Sequence, residues 1–484
     1  MFQESTVTSA VDISRTSGPS ASGGGRPAHL RHVIFLAGVA ALGGFLFGYD
    51  SSVINGAVEG IRGKFDVGSG LLAQVIAAAL IGAALGAAIA GRLADRLGRI
   101  RVMHIGAILF AISAVGSMLP FALWDLAAWR FLGGVAIGMA SVIAPAYIAE
   151  IAPAEYRGRL ASFQQGAIVL GIAISQLVNW GLLNAAGDDQ RGHLLGLEVW
   201  QIMLGVCVLP ALAYGILSFR IPESPRWLIQ QGRIADAQAV LAQVEAPGTD
   251  LDAKVAEIDA QMHSEHKSTF RDLIGKSGLL PIVWIGIGLS VFQQLVGINV
   301  IFYYSSSLWQ SVGIDPNSSF FYSFTTSIIN IIGTVIAMLF VDRIGRKPLA
   351  LIGSAGMAVS LGLAAWAFSA KTGTGDNISM PHTEGTIALV AAHSFVLFFA
   401  LSWGVVVWVM LGEIFPNRIR AAALGVAAGA QWIANWAITV SFPSLSDWNL
   451  SGAYVIYTVF AVLSIPFILK WVPETKGKAL EEMG

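Results

Sequence analysis

Apolar residues run along the chain in stretches of about twenty, parted by short polar turns rich in arginine, glycine and proline. A helix rises 1.5 Å per residue, so roughly twenty apolar residues cross about 30 Å of hydrocarbon. On that measure the pattern predicts spans near 33–57, 70–91, 102–123, 126–149, 158–184, 199–220, 279–308, 318–341, 348–369, 386–412, 420–442 and 452–471, twelve in all. Between the sixth and seventh, residues 223–276 are polar and alanine-rich with helical spacing, which predicts amphipathic helices at a membrane surface. Residues 1–32 carry Ser, Gly and Thr without apolar period and predict a disordered, solvated tail.

Composition agrees with a lipid environment. Of 484 residues, 55% are hydrophobic and only 12% charged, about half the charge of a soluble domain. The net charge of -1 gives no reason to expect nucleic acid as a partner. Cys207 is alone, which excludes an intrachain disulfide and a cysteine metal cluster, and it reads as a small buried hydrophobe. Neither a ligand-spaced cluster nor a nucleophile–base pair or phosphate loop is apparent, so no metal or other cofactor and no enzymatic activity is expected. With twelve spans both termini share a side. That side collects 24 basic residues, and the other only Arg62, Lys64, Arg191 and Lys371. The positive-inside rule then predicts that both termini and residues 223–276 are cytoplasmic in a multi-pass protein of the cell membrane.

The polar turns repeat. Asp95-Arg96-Leu97-Gly98-Arg99 follows the second span and Asp342-Arg343-Ile344-Gly345-Arg346 the eighth. Glu150, before Arg157, answers to Glu413, before Arg420; Pro222-Glu223-Ser224 answers to Pro473-Glu474-Thr475. Echoes six spans apart predict two parallel six-helix repeats, 33–222 and 277–472, with the linker 223–276 between them and a short cytoplasmic tail 473–484. Basic residues alone would satisfy the positive-inside rule. The interleaved carboxylates therefore suggest a latch between two bundles, formed by Arg96, Arg99, Glu150, Arg157, Glu223, Arg343, Arg346, Glu413, Arg420 and Glu474.

The phrases GRLADRLGR and VDRIGRK, AEIAPAEYRGR and GEIFPNRIRA, PESPRWL and PETKG, and QQLVGINVIFYYS stand in an order that resembles the sugar porter family of the major facilitator superfamily. The resemblance covers roughly residues 33 to 480. It implies an all-α fold of twelve transmembrane helices that carries a monosaccharide by alternating access, and a single copy is expected to suffice.

Ionisable groups in a membrane are costly, about 2.5–3.5 kcal/mol on insertion scales, and each suggests function. Asp50 in the first span and Arg130 in the fourth fall at matching depths when each helix is counted at 1.5 Å per residue. A carboxylate that meets a guanidinium in one conformation and leaves it in another can load and release a proton. Proton-driven members of the resembling family carry an acid at this place in the first span, so Gly48-Tyr49-Asp50 implies a symporter. His104 and His393 are expected to be packing residues.

A sugar presents hydroxyls and an apolar C–H face, which neutral amides and aromatic planes match. Gln164, Asn435 and their polar neighbours on the central spans offer that mixture. The resemblance implies sugar contacts at Gln165, Gln293, Gln294, Asn299, Asn330, Gly404, Trp408, Gln431 and Trp432, with Tyr303 and Tyr304 closing the outer path. One straight helix cannot aim Gln293, Gln294 and Asn299 at one point, so a break in the seventh span is expected near Gly297. Ile172 and Ala400 stand where the resemblance points to a hexose and to the bacterial proton-coupled type. D-glucose is therefore the first expectation, with D-xylose, D-galactose or a proton-independent facilitator as alternatives.

Overall fold

The computed structural model describes residues 28–476 apart from 154–155, 265–268, 276–277, 373–379 and 417. The tail expected over residues 1–32 lies outside them as far as residue 27, and so does the end of the tail expected over 473–484. The first helix starts earlier than the apolar run, because Ala28, Leu30 and Arg31 are good helix formers although His29, Arg31 and His32 interrupt the apolar pattern. The N-terminal group comprises α1 (Ala28–Phe65), α2 (Ser69–Leu97), α3 (Arg99–Met118), α4 (Leu123–Ile151) and α5 (Arg157–Ala185). Its sixth apolar stretch folds as α6 (Val199–Gly205) and α7 (Val208–Ser218), offset at Val206 and Cys207.

Three short helices follow, α8 (Pro225–Gln230), α9 (Ile234–Val244) and α10 (Leu251–Ser264). Ser224 caps α8 by accepting from the Trp227 amide, and the Trp227 indole donates to the Asp95 carbonyl at 3.0 Å, which seats the linker on the N-terminal group. The C-terminal group comprises α11 (Pro281–Leu295), α12 (Ile298–Gln310), α13 (Pro316–Ile344), α14 (Arg346–Phe368), α15 (His382–Ala400), α16 (Trp403–Ile414) and α17 (Arg420–Trp471). Strand occurs only as two two-stranded ladders among the described residues.

Among those residues, eleven helical stretches are long and apolar enough to cross a membrane. The chain is an all-α, multi-pass integral membrane protein. Its last stretch, α17, has 52 residues and would run about 78 Å if straight. It is interrupted at Asn449, whose backbone is extended (φ -162°, ψ 97°). The Asn449 side chain accepts from the Gly452 amide at 2.9 Å, as an N-cap does. The stretches expected at 420–442 and 452–471 are thus joined by a single capping residue instead of a loop.

Packing within the N-terminal group is tightest between α2 and α4. A Cβ on Gly82 or Gly86 would lie 2.1 Å from the carbonyl oxygen of Phe131 or Val135. One on Gly134 or Gly138 would lie 2.0 or 2.1 Å from that of Ala79 or Ala83. The two Gly-x-x-x-Gly pairs let the backbones touch, the arrangement that stabilises helices where lipid gives no hydrophobic drive.

We predict that Gly134→Val parts α2 from α4 and destabilises the protein by about 1–3 kcal/mol or more. Thermal unfolding in detergent checks this; a midpoint equal to that of the wild type contradicts the backbone contact.

Candidate functional site

Asp50 on α1 and Arg130 on α4 meet in the interior. Arg130 Nη1 lies 3.2 Å from both carboxylate oxygens and Nη2 donates to the Asp50 carbonyl at 3.3 Å. Their side chains are 7% and 3% exposed, so neither charge has bulk water to fall back on. Removing one partner of such a pair leaves a buried charge uncompensated, at a cost of about 3–5 kcal/mol.

The seventh apolar stretch is broken where expected. α11 ends at Leu295 and α12 starts at Ile298, with Gly297 in the left-handed region at φ 84°. A Cβ there would also strike the Tyr457 ring at 2.7 Å, so glycine is required on both counts. The break swings Asn299 back onto Gln294, whose side-chain oxygen accepts from Asn299 Nδ2 at 2.5 Å. Gln294 Nε2 reaches the side-chain oxygen of Gln293 at 3.4 Å, and Gln293 Nε2 donates to the Trp403 carbonyl at 2.9 Å. Trp403 opens α16 just after a second break at Leu401 and Ser402, which the sequence did not announce. The two broken stretches are stitched together by one glutamine.

The remaining candidates divide. Gln164 is packed against Gly44, where a Cβ would come within 2.8 Å of its amide. Gln165, one residue on, is half-buried. The side-chain oxygens of Gln164 and Gln431 are buried without a protein partner, which leaves two acceptors for hydroxyl donors. Asn330 is buried on α13, and Gly404 sits in the first turn of α16 against the Phe399 ring. Trp432 lies 6.3 Å from Phe47, ring to ring, and so reaches the N-terminal group. Trp408 is 47% exposed and is not drawn into the amide chain. Tyr303 and Tyr304 are buried, and Tyr304 donates to the Thr439 carbonyl at 3.1 Å. Ile172 is buried and Ala400 packs on Gly333. His393 accepts from or donates to Thr325 at 3.0 Å, in keeping with a packing role.

The charged turns form two matching clusters at the linker end. Glu150 grips Arg99 through two bonds of 3.0 and 2.9 Å, while Glu223 accepts the amides of Arg99 and Ile100 at 2.9 and 3.2 Å. Glu413 grips Arg346 at 3.1 and 2.7 Å, and Glu474 accepts the amides of Arg346 and Lys347 at 3.1 and 3.0 Å. Glu223 and Glu474 cap the starts of α3 and α14 and satisfy amides that a helix leaves free. The glycine between the arginines has φ 94° at Gly98 and 103° at Gly345, and a Cβ would meet the capping carboxylate at 2.3 or 2.9 Å. Both clusters are built inside one group, so the bonds seen here tie each group to itself instead of bridging the two. Arg96 and Arg343 are exposed and outside the grip, and Arg420 donates twice to the Phe415 carbonyl at the end of α16. The Arg157 side chain lies outside the described residues.

At the opposite end the groups are sewn together by a polar cluster that the sequence reading overlooked. Asn55 on α1 is 1% exposed and uses its full amide capacity. It donates to Gln176 Oε1 at 3.0 Å and to Ser305 Oγ at 3.1 Å, and accepts from the Ser306 amide and hydroxyl, both at 3.0 Å. Ser306 Oγ also donates to the Asn55 carbonyl at 2.6 Å. Nearby, the Trp180 indole donates to Asn317 at 3.1 Å and Asn317 donates to Asp188 at 2.8 Å, again from one group to the other. An asparagine in an apolar span and the run Ser305-Ser306-Ser307 were the available signals.

A buried ion pair, a cluster of neutral amides at two helix breaks and one sewn end define a membrane carrier. A model described as "Sugar (and other) transporter" matches residues 36–484. The chain belongs to this family, the sugar porters of the major facilitator superfamily. It is 51% identical over 468 residues to a glucose transport protein of Synechocystis sp., covering 96% of this chain and 100% of that one. It is 36% identical over 478 residues to a D-xylose-proton symporter of Escherichia coli, covering 92% and 94%. A partially occluded inward-open structure of the E. coli xylose transporter matches with a TM-score of 0.80 at 34% identity, over 93% of this chain and 100% of that one. The same transporter bound to 6-bromo-6-deoxy-D-glucose matches with a TM-score of 0.77 at 35% identity, over 94% and 99%.

Two predictions test the ends. Burial raises the Glu474 carboxyl, but amides of Lys476, Lys347, Arg346 and Thr475 outweigh it and hold the group below its usual range. Its contribution, about 1 kcal/mol, is present above the unfolded carboxyl value and is lost as pH falls through the depressed one. Glu474→Gln should therefore lower the melting point at neutral pH and flatten its fall on the acid side, as read by thermal scans from pH 7 to 3. Asn55→Ala should leave donors and an acceptor unpaired only while the sewn end is closed, at about 1–3 kcal/mol per group. It should raise maleimide labelling of a cysteine placed at Ser307 at least tenfold in a Cys207→Ser background; unchanged labelling counts against the seam.

Proposed function

We infer that the chain is a proton-coupled monosaccharide symporter working by alternating access. The single observation that carries this reading is the Asp50–Arg130 pair, almost fully buried and set between helices of one bundle. When the pair is closed the carboxylate is ionised; when it opens in a dry setting the carboxylate takes a proton. A change of distance on rocking thus exchanges one proton per cycle.

The architecture we propose is twelve spans in two parallel six-helix repeats, 33–222 and 277–472, with α17 counted as two spans parted at Asn449. The linker 223–276 and both termini lie in the cytoplasm, and one copy contains the whole pathway. In that orientation the Asn55 seam closes the outside and the central amides open inward. Gln165, Gln293, Gln294, Asn299, Asn330, Gly404, Gln431 and Trp432 take the sugar, with Trp408 reaching it from its half-exposed position. Tyr303 and Tyr304 belong to the outer closure. Arg99, Arg346, Glu150, Glu413, Glu223 and Glu474 act as clamps that keep each bundle's inner ends rigid as they part.

The substrate is an aldose. The expectation that put D-glucose first gives way to its alternative, in which D-xylose has at least an equal claim. The support is that the relatives described as proton symporters are described for D-xylose and arabinose, whereas those described for glucose include one of facilitated diffusion.

Asp50→Asn should abolish uphill accumulation of labelled D-xylose or D-glucose in proteoliposomes under a proton gradient while preserving counterflow. Accumulation that persists in this variant refutes the coupling assignment; equal counterflow of both sugars settles the substrate as an aldose without preference.

A further inference from the structure

Beside the ion pair lies a small cavity that spans the two groups. It is lined by Ser51 and Ile54 of α1, Arg130 of α4, Tyr303 of α12, Trp432 of α17 and small apolar side chains of α2. Its volume is about 10 Å³, the space one water centre needs. A dry cavity would be apolar throughout, but here three polar side chains meet, and Arg130 Nε is a buried donor with no protein partner. Tyr303 also lies beside Asn435 on α17, close to Gln431 and Trp432, and shares its helix with Asn299. One phenol therefore touches both the neighbourhood of the sugar amides and the wall of the proton site.

We propose that Tyr303 is a positioning residue for the coupling pair: through one ordered water held between Arg130, Ser51 and its own hydroxyl, it relays sugar occupancy on α12 and α17 to Asp50. With the seam closed, the water completes the Arg130 donor set and favours the guanidinium turned toward Asp50. When Tyr303 and Trp432 withdraw, that support is lost, Arg130 loosens, and the Asp50 carboxylate takes a proton from the solution that enters. When the seam closes again the Arg130–Asp50 contact reforms and the proton leaves to the solution on the other, now open face. The other titratable groups around the pair are Tyr49 of α1 and Cys207 at the α6–α7 offset; α2 presents only apolar side chains to the cavity.

This inference rests on the symport reading, and one experiment separates them. Affinities for D-xylose and D-glucose are measured on the purified full-length protein in detergent between pH 5.5 and 8.5. By linkage, one coupled proton weakens binding by up to about tenfold per pH unit as pH rises. The wild type should approach that slope, and Tyr303→Phe should reduce it to less than about twofold per unit. Ser51→Ala, which removes another partner of the water and lies outside the amide set, should at least halve the slope on a logarithmic scale. It serves as the decisive variant should Tyr303→Phe fail to fold. A Tyr303→Phe line parallel to the wild type, whatever its offset, overturns the relay and leaves a steric gate. A flat wild-type profile overturns both the relay and the proton-coupled reading.

Discussion

A carboxylate and a guanidinium cannot both sit unpaired in an interior without water, and this constraint organises the molecule around Asp50 and Arg130. The closed pair needs α4 beside α1, and the backbone contacts of α2 with α4 help to hold α4 in place. It also needs a partner surface that can leave, because a permanent pair would be only a brace. That surface belongs to α12 and α17, which meet the N-terminal group through Asn55 and the Phe47–Trp432 contact. A charge held by one bundle is thus covered by the other.

The central amides solve a different problem. Helix breaks inside a membrane free backbone groups that lipid cannot satisfy, so they persist only where side chains or a polar cavity take over. Gln293 does this for the α15–α16 break while its own helix is broken at Gly297. The polar groups required to tolerate the breaks are then the same ones available to a polyhydroxylated ligand. The two functions share atoms, and a ligand that takes a hydrogen bond from Gln294 or Asn299 also pulls on the geometry of the break.

Much of the design was legible because it is written in periodicity and charge. Apolar runs located the helices, and the depths of Asp50 and Arg130 placed them opposite one another before any contact was known. Gly297 announced its break because polar neighbours at incompatible angles demanded one. The Ser402 break left no such signal, since Leu401 and Ser402 are ordinary helix residues; the close approach of the Ser402 hydroxyl to Gly353, where an added Cβ would lie 1.7 Å away, shows only in space. The charged turns showed which residues would pair but not with whom. Repetition in sequence cannot distinguish a bond across the bundles from one repeated inside each, and only the geometry of Glu223 and Glu474 decides it. Asn55 gave little signal because a single amide in an apolar span looks like packing until its three partner residues, Gln176, Ser305 and Ser306, are seen.

The α2–α4 weld has a mechanical corollary. Helices touching main chain to main chain have no side-chain cushion to shear, so this pair behaves as a stiff keel. Among the described residues, helix breaks at Gly297, Ser402 and Asn449 fall in the later portion of the polypeptide, against the offset at Val206 and Cys207 in the earlier one. Stiffness is consequently unevenly shared along the polypeptide, with the main-chain weld early and most of the interruptions late.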